Sequence, residues 1–149
     1  MQDRVSLVPM EVLPRILPEA MDMLAPAIDM SGGRWAVEDV AAAIAAGQSQ
    51  LWLAFTSDDI PIAALVTRIE DYPQRRMLSV LFTGGEELKF WHQEMLDALE
   101  EFGAACGCEG LELTGRHGWK KFLAEYGWEA KYVVCEKTIA APEENRDVA

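Results

Sequence analysis

The chain has 149 residues, half of them hydrophobic, with 25 acidic against 13 basic side chains and a formal charge of −12. That length predicts one domain able to bury a core. The charge excludes direct nucleic-acid binding as the main role, which rests on clustered Lys and Arg. No apolar run approaches the roughly 20 residues that span a bilayer, so no membrane partner is expected.

The opening run MQDRVSLVPMEVLPRILPEA lacks a cationic segment leading into an apolar core and a small-residue cleavage site, which predicts a cytoplasmic chain. Within it, Arg4 to Pro9 alternates weakly and reads as a first short strand. Leu13 to Gly33 follows with Ile16, Ala20, Met23, Leu24, Ala27 and Ile28 near helical spacing. Pro18 and Pro26 inside it predict a broken or kinked helix. AVEDVAAAIAAGQ is a compact helix with Val37, Val40, Ala41 and Ile44 on one face and Gly47 as its cap.

The period then changes. QLWLAFTS and IPIAALVTRIE are rich in apolar and β-branched residues and are separated by Asp58 and Asp59, a hairpin pattern; RRMLSVLFT adds a third strand after DYPQ. Beyond Gly84 and Gly85, LKFWHQEMLDALEEFGAACG is the strongest helix, with Phe90, Trp91, Met95, Leu99, Phe102 and Cys106 as its apolar stripe. CEGLELTG reads as a short strand, WKKFLAEYG as a short helix and WEAKYVVCEKTI as a long last strand. Residues 1–139 are expected to form the domain and 140–149 a polar tail.

Three cysteines are present, and Cys106 and Cys108 stand in a lone C-x-C without a second ligand pair. That pattern lacks the four ligands of a zinc site, so no metal is predicted and the thiols read as buried and reduced. Arg75 and Arg76, like Arg116 through Lys121, read as solvated basic faces.

The order β-αα-βββ-α-β-α-β, the run FGAACGC before LEL, and FLAEYGW before the last strand resemble the GCN5-related N-acetyltransferase (GNAT) fold over nearly the whole chain. The resemblance implies an α+β domain with a central, mostly antiparallel twisted sheet of about six to seven strands and helices on both faces. It also implies acetyl-coenzyme A as cofactor, its diphosphate held by Gln/Arg-x-x-Gly-x-Gly/Ala at the start of the long helix. Small residues there let the backbone approach, and the helix start supplies N–H groups and a positive dipole end.

Counting back from Gly107 puts that motif on Glu87-Leu88-Lys89-Phe90-Trp91-His92, where no position matches. A slipped register makes Gly84 and Gly85 the cradle, with the backbone of Val80, Leu81 and Phe82 beside the coenzyme's arm, but sets Glu86 and Glu87 against the phosphates. The family's Asn, Ala and Tyr of the short helix fall on Arg116, Trp119 and Leu123, and Leu123 cannot protonate a thiolate. Tyr126, His92 and His117 are the remaining catalytic candidates, and Glu70, Asp71 and Glu112 read as surface acids.

Arg116, His117 and Trp119 are candidates for an interaction site, beside a plainer reading in which Trp119 plugs the core. The run GC-x-x-LEL-x-GR-x-GW resembles GNAT-like proteins of bacteriophages and prophages. Together these residues predict a non-catalytic structural or interaction component of a phage particle, virion-associated after assembly, with other virion proteins or a second copy as partner. The alternative is an acetyl-coenzyme A-dependent N-acyltransferase acting on an amine or lysine.

Overall fold

A computed structural model describes residues 4–86, 88–115 and 117–141, with His117 described by its backbone only. By its internal contacts the chain divides into two units, Met1–Thr114 and Gly115–Ala149.

The first unit holds β1 (Val5–Leu7), α1 (Leu13–Asp29), α2 (Val37–Ala45), β2 (Gln50–Phe55), β3 (Pro61–Asp71), β4 (Arg76–Gly85), α3 (Leu88–Ala105) and β5 (Gly110–Leu113). The strands form a sheet of order β1-β2-β3-β4-β5, antiparallel except for the parallel pair β4–β5. The α+β class and the mixed sheet agree with expectation, with five strands among the described residues in place of six to seven.

Strand alternation sends the apolar residues to two helical layers. Leu51, Leu53, Ala64, Val66 and Phe82 join Leu24 and Ile28 of α1 and Val40 and Ile44 of α2 in one core cluster. Trp52 points the other way and meets Phe102 of α3 edge to face at 5.3 Å. On that face the Trp52 indole donates to Thr67 Oγ1 at 3.0 Å, and that hydroxyl donates to Gln50 Oε1 at 2.9 Å. Thr67 is fully buried, so this chain of donors lets a polar group sit in the core.

Of the broken or kinked helix expected, the break is absent: α1 is one helix from Leu13 to Asp29 with Pro18 and Pro26 inside it. Each proline removes one N–H of the ladder, and the buried stripe Leu13, Ala20, Met21, Leu24 and Ile28 holds the helix on the sheet. Helix α3 buries Trp91, Met95, Leu96, Leu99 and Gly103, but Phe90, expected in the stripe, is 62% exposed. Gly107 closes α3 at φ +79, with its N–H on Ala104 and that of Cys108 on Gly103, a Schellman turn.

The second unit contains α4 (His117–Ala124) and residues 125–141, which form no helix or strand. The expected strand at 128–139 is therefore a correction. Tyr132, Val133, Val134 and Ile139 are exposed, as is Cys135, expected to be buried. The pattern of apolar residues suits a strand, but a strand needs a partner, and the described residues of this unit hold no second strand. Of the tail expected at 140–149, residues 142–149 lie outside the described residues.

Candidate functional site

The local feature that shapes β4 is a bulge. Thr67 pairs with Val80 and Val66 with Phe82, leaving Leu81 as the extra residue on β4. The extra residue reverses the alternation. Opposite Thr67, Val80 takes the α3 face, whereas Phe82 and Gly84 take the α1 face. The parallel ladder to β5 also ends here, with Val80 opposite Leu113. From Leu81 to Gly85, β4 is paired to β3 alone among the described residues, so β4 and β5 diverge just where the bulge sits.

Val80, Leu81, Phe82, Gly84 and Gly85, the expected coenzyme contacts, therefore lie along the end of β4 that has no β5 partner among the described residues. The glycines themselves face other neighbours. A Cβ on Gly84 would collide with the Met23 carbonyl oxygen of α1, and would stand 2.9 Å from the Met23 carbonyl carbon and 3.0 Å from Leu24 Cα. On Gly85, at φ +115, it would collide with the Ile62 carbonyl oxygen and stand 2.7 Å from Ala63 Cβ. The pair is small because α1 and β3 lie against it.

The loop into α3 is engaged in the same way. The Glu86 N–H donates to the Ile62 carbonyl at 3.0 Å, and the Trp91 indole, 3% exposed, donates to the Glu86 carbonyl at 2.8 Å. His92 Nδ1 lies 3.2 Å from the Leu88 carbonyl and 3.1 Å from that of Lys89, so it donates to its own helix. Arg4 reaches the Phe90 carbonyl at 3.2 Å. At Gly84 and Gly85 a diphosphate finds no room: the pair is already packed against protein, the N–H that follows it is spent, and Glu86 is exposed beside it. Glu87 lies outside the described residues.

The candidate acids are each engaged. Glu70 accepts from Arg68 at 2.6 Å, Asp71 from Arg76 at 2.6 Å, and Glu112, opposite Ser79 on β5, from the Tyr72 hydroxyl at 2.6 Å. The hydrogen bond and charge of Asp71 raise the Arg76 pKa above its ordinary value. Arg76 also donates to the Cys106 carbonyl at 2.9 Å. Cys106 and Cys108 are half-buried, free thiols; burial, and then Cys106, push the Cys108 thiol up, against a smaller lowering by Arg76. Among the described residues no cluster of His, Cys, Asp and Glu could hold a metal ion, and no helix is long and apolar enough to cross a membrane.

The other candidates belong to the second unit. Trp119, Phe122 and Tyr126 form a row along and just past α4, with ring centroids 5.8 and 5.7 Å apart. Trp119 is half-buried. His117 begins α4, its side chain outside the description, and Arg116 lies outside the described residues.

Sequence reasoning missed the bulge at Leu81, because no Gly or Pro marks it, and the indole of Trp91 closing back on Glu86. A five-stranded sheet whose fourth strand bulges and parts from the fifth, with the long helix between them, is the GNAT architecture, and the chain has that fold. Solved acetyltransferase structures match it throughout. An aminoglycoside acetyltransferase from an uncultured soil metagenomic sample superposes with a TM-score of 0.67 over 94% of this chain and all of the other, at 10% identity. A second such enzyme, solved in complex with sisomicin, gives 0.66 over 91% and 95% at 10% identity. A Trypanosoma brucei acetyltransferase gives 0.62 over 91% and 98% at 13%. No family model and no curated protein matches the sequence.

Proposed function

We propose that this chain is a divergent GNAT-fold protein that works by binding a partner protein and not by acetyl transfer. The observation that carries the reading is the filled glycine pair: Gly84 and Gly85 are packed on α1 and β3, so the backbone a diphosphate would approach is already covered. The engaged Glu86 and Trp91 and the absence of the family's residues from Glu87 to His92 support it further. Isothermal titration with acetyl-coenzyme A tests it: no heat up to millimolar ligand is expected, and micromolar binding overturns it. The finer proposal, a component of a bacteriophage particle, rests on the resemblance of the Gly107 to Trp119 run. It predicts a fixed copy ratio in mass spectra of purified virions, and absence from them removes it.

One observation favours a second reading, an N-acyltransferase acting on an amine or lysine. The bulge at Leu81 and the parting of β4 from β5 leave a strand edge beside which an extended acyl arm fits. The net charge of −12 suits a cationic acceptor. Under that reading, Leu81→Pro, which removes a β4 backbone N–H, weakens binding of acyl-pantetheine while leaving β5 in place.

A further inference from the structure

Helix α3 passes into β5 through Cys106, Gly107 and Cys108. The Cys106 N–H donates to the Phe102 carbonyl at 3.0 Å and to that of Gly103 at 3.2 Å, so Cys106 continues the helix one turn beyond buried Gly103 and on its side. The chain then folds back. The Cys108 N–H donates to the Gly103 carbonyl at 2.8 Å, and a Cβ on Gly103 would stand 3.6 Å from Cys108 Cβ. Both cysteines are thus brought to Gly103, which has no side chain to stand between them. Each thiol is free and half-buried.

Gly107, at φ +79, sets the span between them. A central residue in the left-handed helical region holds the Cα atoms on either side about 5.5 Å apart, the mirror image of the right-handed spacing. Disulfides bridge Cα separations of roughly 4.4–6.8 Å, so this span suits one. The electrostatics suit thiol exchange as well. Arg76 donates to the Cys106 carbonyl at 2.9 Å, and its pKa, raised first by Asp71, is raised further by the charges of Cys108 and Cys106. A thiolate formed at either sulfur therefore has a cation beside it. Burial, and then Cys106, push the Cys108 thiol up, which makes Cys106 the thiol that reacts first.

We propose that Cys106 and Cys108 form a reversible redox pair whose reaction partner is a low-molecular-weight disulfide. The Cys106 thiolate attacks one sulfur of that disulfide and expels the other as a thiolate, leaving a mixed disulfide on Cys106. Cys108 then loses its proton, attacks the Cys106 sulfur and expels the second small thiolate. The two protons released by the protein thiols are taken up by the two small thiols. In sum, two protein thiols are oxidised to one disulfide and the small disulfide is reduced to two thiols. The Glu109 N–H donates to the Arg76 carbonyl at 2.7 Å, just ahead of the parallel pairing of Met77 with Gly110, so the redox state is set at the joint where β5 meets β4. The pair is independent of any coenzyme and of the reading proposed above.

The test uses the full chain carrying Cys135→Ser, which removes the exposed third thiol, with glutathione disulfide as the oxidant. Trypsin releases Phe90 to Arg116 as one peptide that holds both remaining cysteines. After acid quenching, that peptide is expected to have lost two hydrogens and to carry no glutathione, and dithiothreitol is expected to reverse the change. Adding Cys108→Ser is expected to trap one glutathione on Cys106. Adding Cys106→Ser is expected to leave Cys108 unmodified over the same time. Intrinsic closure of a Cys-Gly-Cys segment is separated from the fold's part by titration in glutathione redox buffers. The native chain is expected to be half-closed at a buffer about tenfold less oxidising than the chain in urea, because the turn pre-orients the pair. By the same cycle, the oxidised chain is expected to unfold at higher urea than the reduced one. A lasting glutathione adduct on Cys106 while Cys108 is present, no loss of two hydrogens, or a native midpoint no more reducing than that in urea overturns the proposal.

Discussion

Gly84→Ala tests whether the glycine pair is packing or cradle. The added Cβ would collide with the Met23 carbonyl oxygen and stand 3.0 Å from Leu24 Cα, where carbon atoms ordinarily keep about 3.5–4.0 Å. The obstructing atoms are backbone of α1, so no side chain can rotate away, and the helix or the end of β4 must retreat by roughly 0.5–1 Å. Overpacking of this kind costs about 3 kcal/mol, near the upper end of its usual range. For a chain of this size that is a fall in Tm of about 6–12 °C. Gly103→Ala is the internal control. It also adds one methyl to a buried glycine, but its nearest neighbours are Leu111 Cδ2 at 3.5 Å and Cys108 Cβ at 3.6 Å, ordinary contacts. In the interior of α3 it is expected to be neutral or to stabilise by up to about 1 kcal/mol. Urea unfolding followed by circular dichroism reads both. A Gly84→Ala protein within about 0.5 kcal/mol of the parent would refute the packing account and reopen the loop to a phosphate.

Two other outcomes follow from the polar groups. Thr67→Val strands the Trp52 indole, 4% exposed, and is expected to cost about 1–3 kcal/mol in urea unfolding, whereas Thr67→Ser keeps the hydroxyl and much of the stability. Among the thiols, exposed Cys135 is expected to react with a disulfide reagent first and Cys108 most slowly. Because the folded Cys108 pKa is raised, its contribution to stability is whole below the ordinary thiol range and is lost as pH climbs through the folded value. Unfolding midpoints should therefore fall above about pH 8.5, and Cys108→Ala should flatten that fall; an unchanged slope would remove Cys108 as its source.

The elements that sequence made legible are those whose cause is local. The hairpin and meander strands announce themselves by β-branched density and turn residues, and Gly107 caps α3 because only a residue at ease with positive φ closes that turn. The last strand failed for a non-local reason: Tyr132 to Ile139 has the composition of a strand, but composition does not supply an edge to pair with. Likewise Pro18 and Pro26 argued locally for a break or a kink, and burial of Ala20, Leu24 and Ile28 against the sheet keeps the helix unbroken.

The site divides along the same line. Glycines before a helix are required wherever something must come close to the backbone, and the sequence cannot say what comes close. In a nucleotide or coenzyme cradle it is a phosphate; here it is the Met23 carbonyl, some 60 residues earlier in the chain. The bulge at Leu81 connects the two outcomes, because it turns Gly84 toward α1 while letting β4 leave β5. One backbone irregularity thus opens the strand edge and fills the glycine pair at once. Substitutions that restore the glycines of the phosphate motif at the helix start therefore do not by themselves restore coenzyme binding, since α1 must also give up its contact with Gly84. A Phe90→Gly, His92→Gly double variant is accordingly expected to remain without micromolar affinity for acetyl-coenzyme A, and acquisition of that affinity would show that the side chains of the helix start, and not the packing beneath them, keep the coenzyme out.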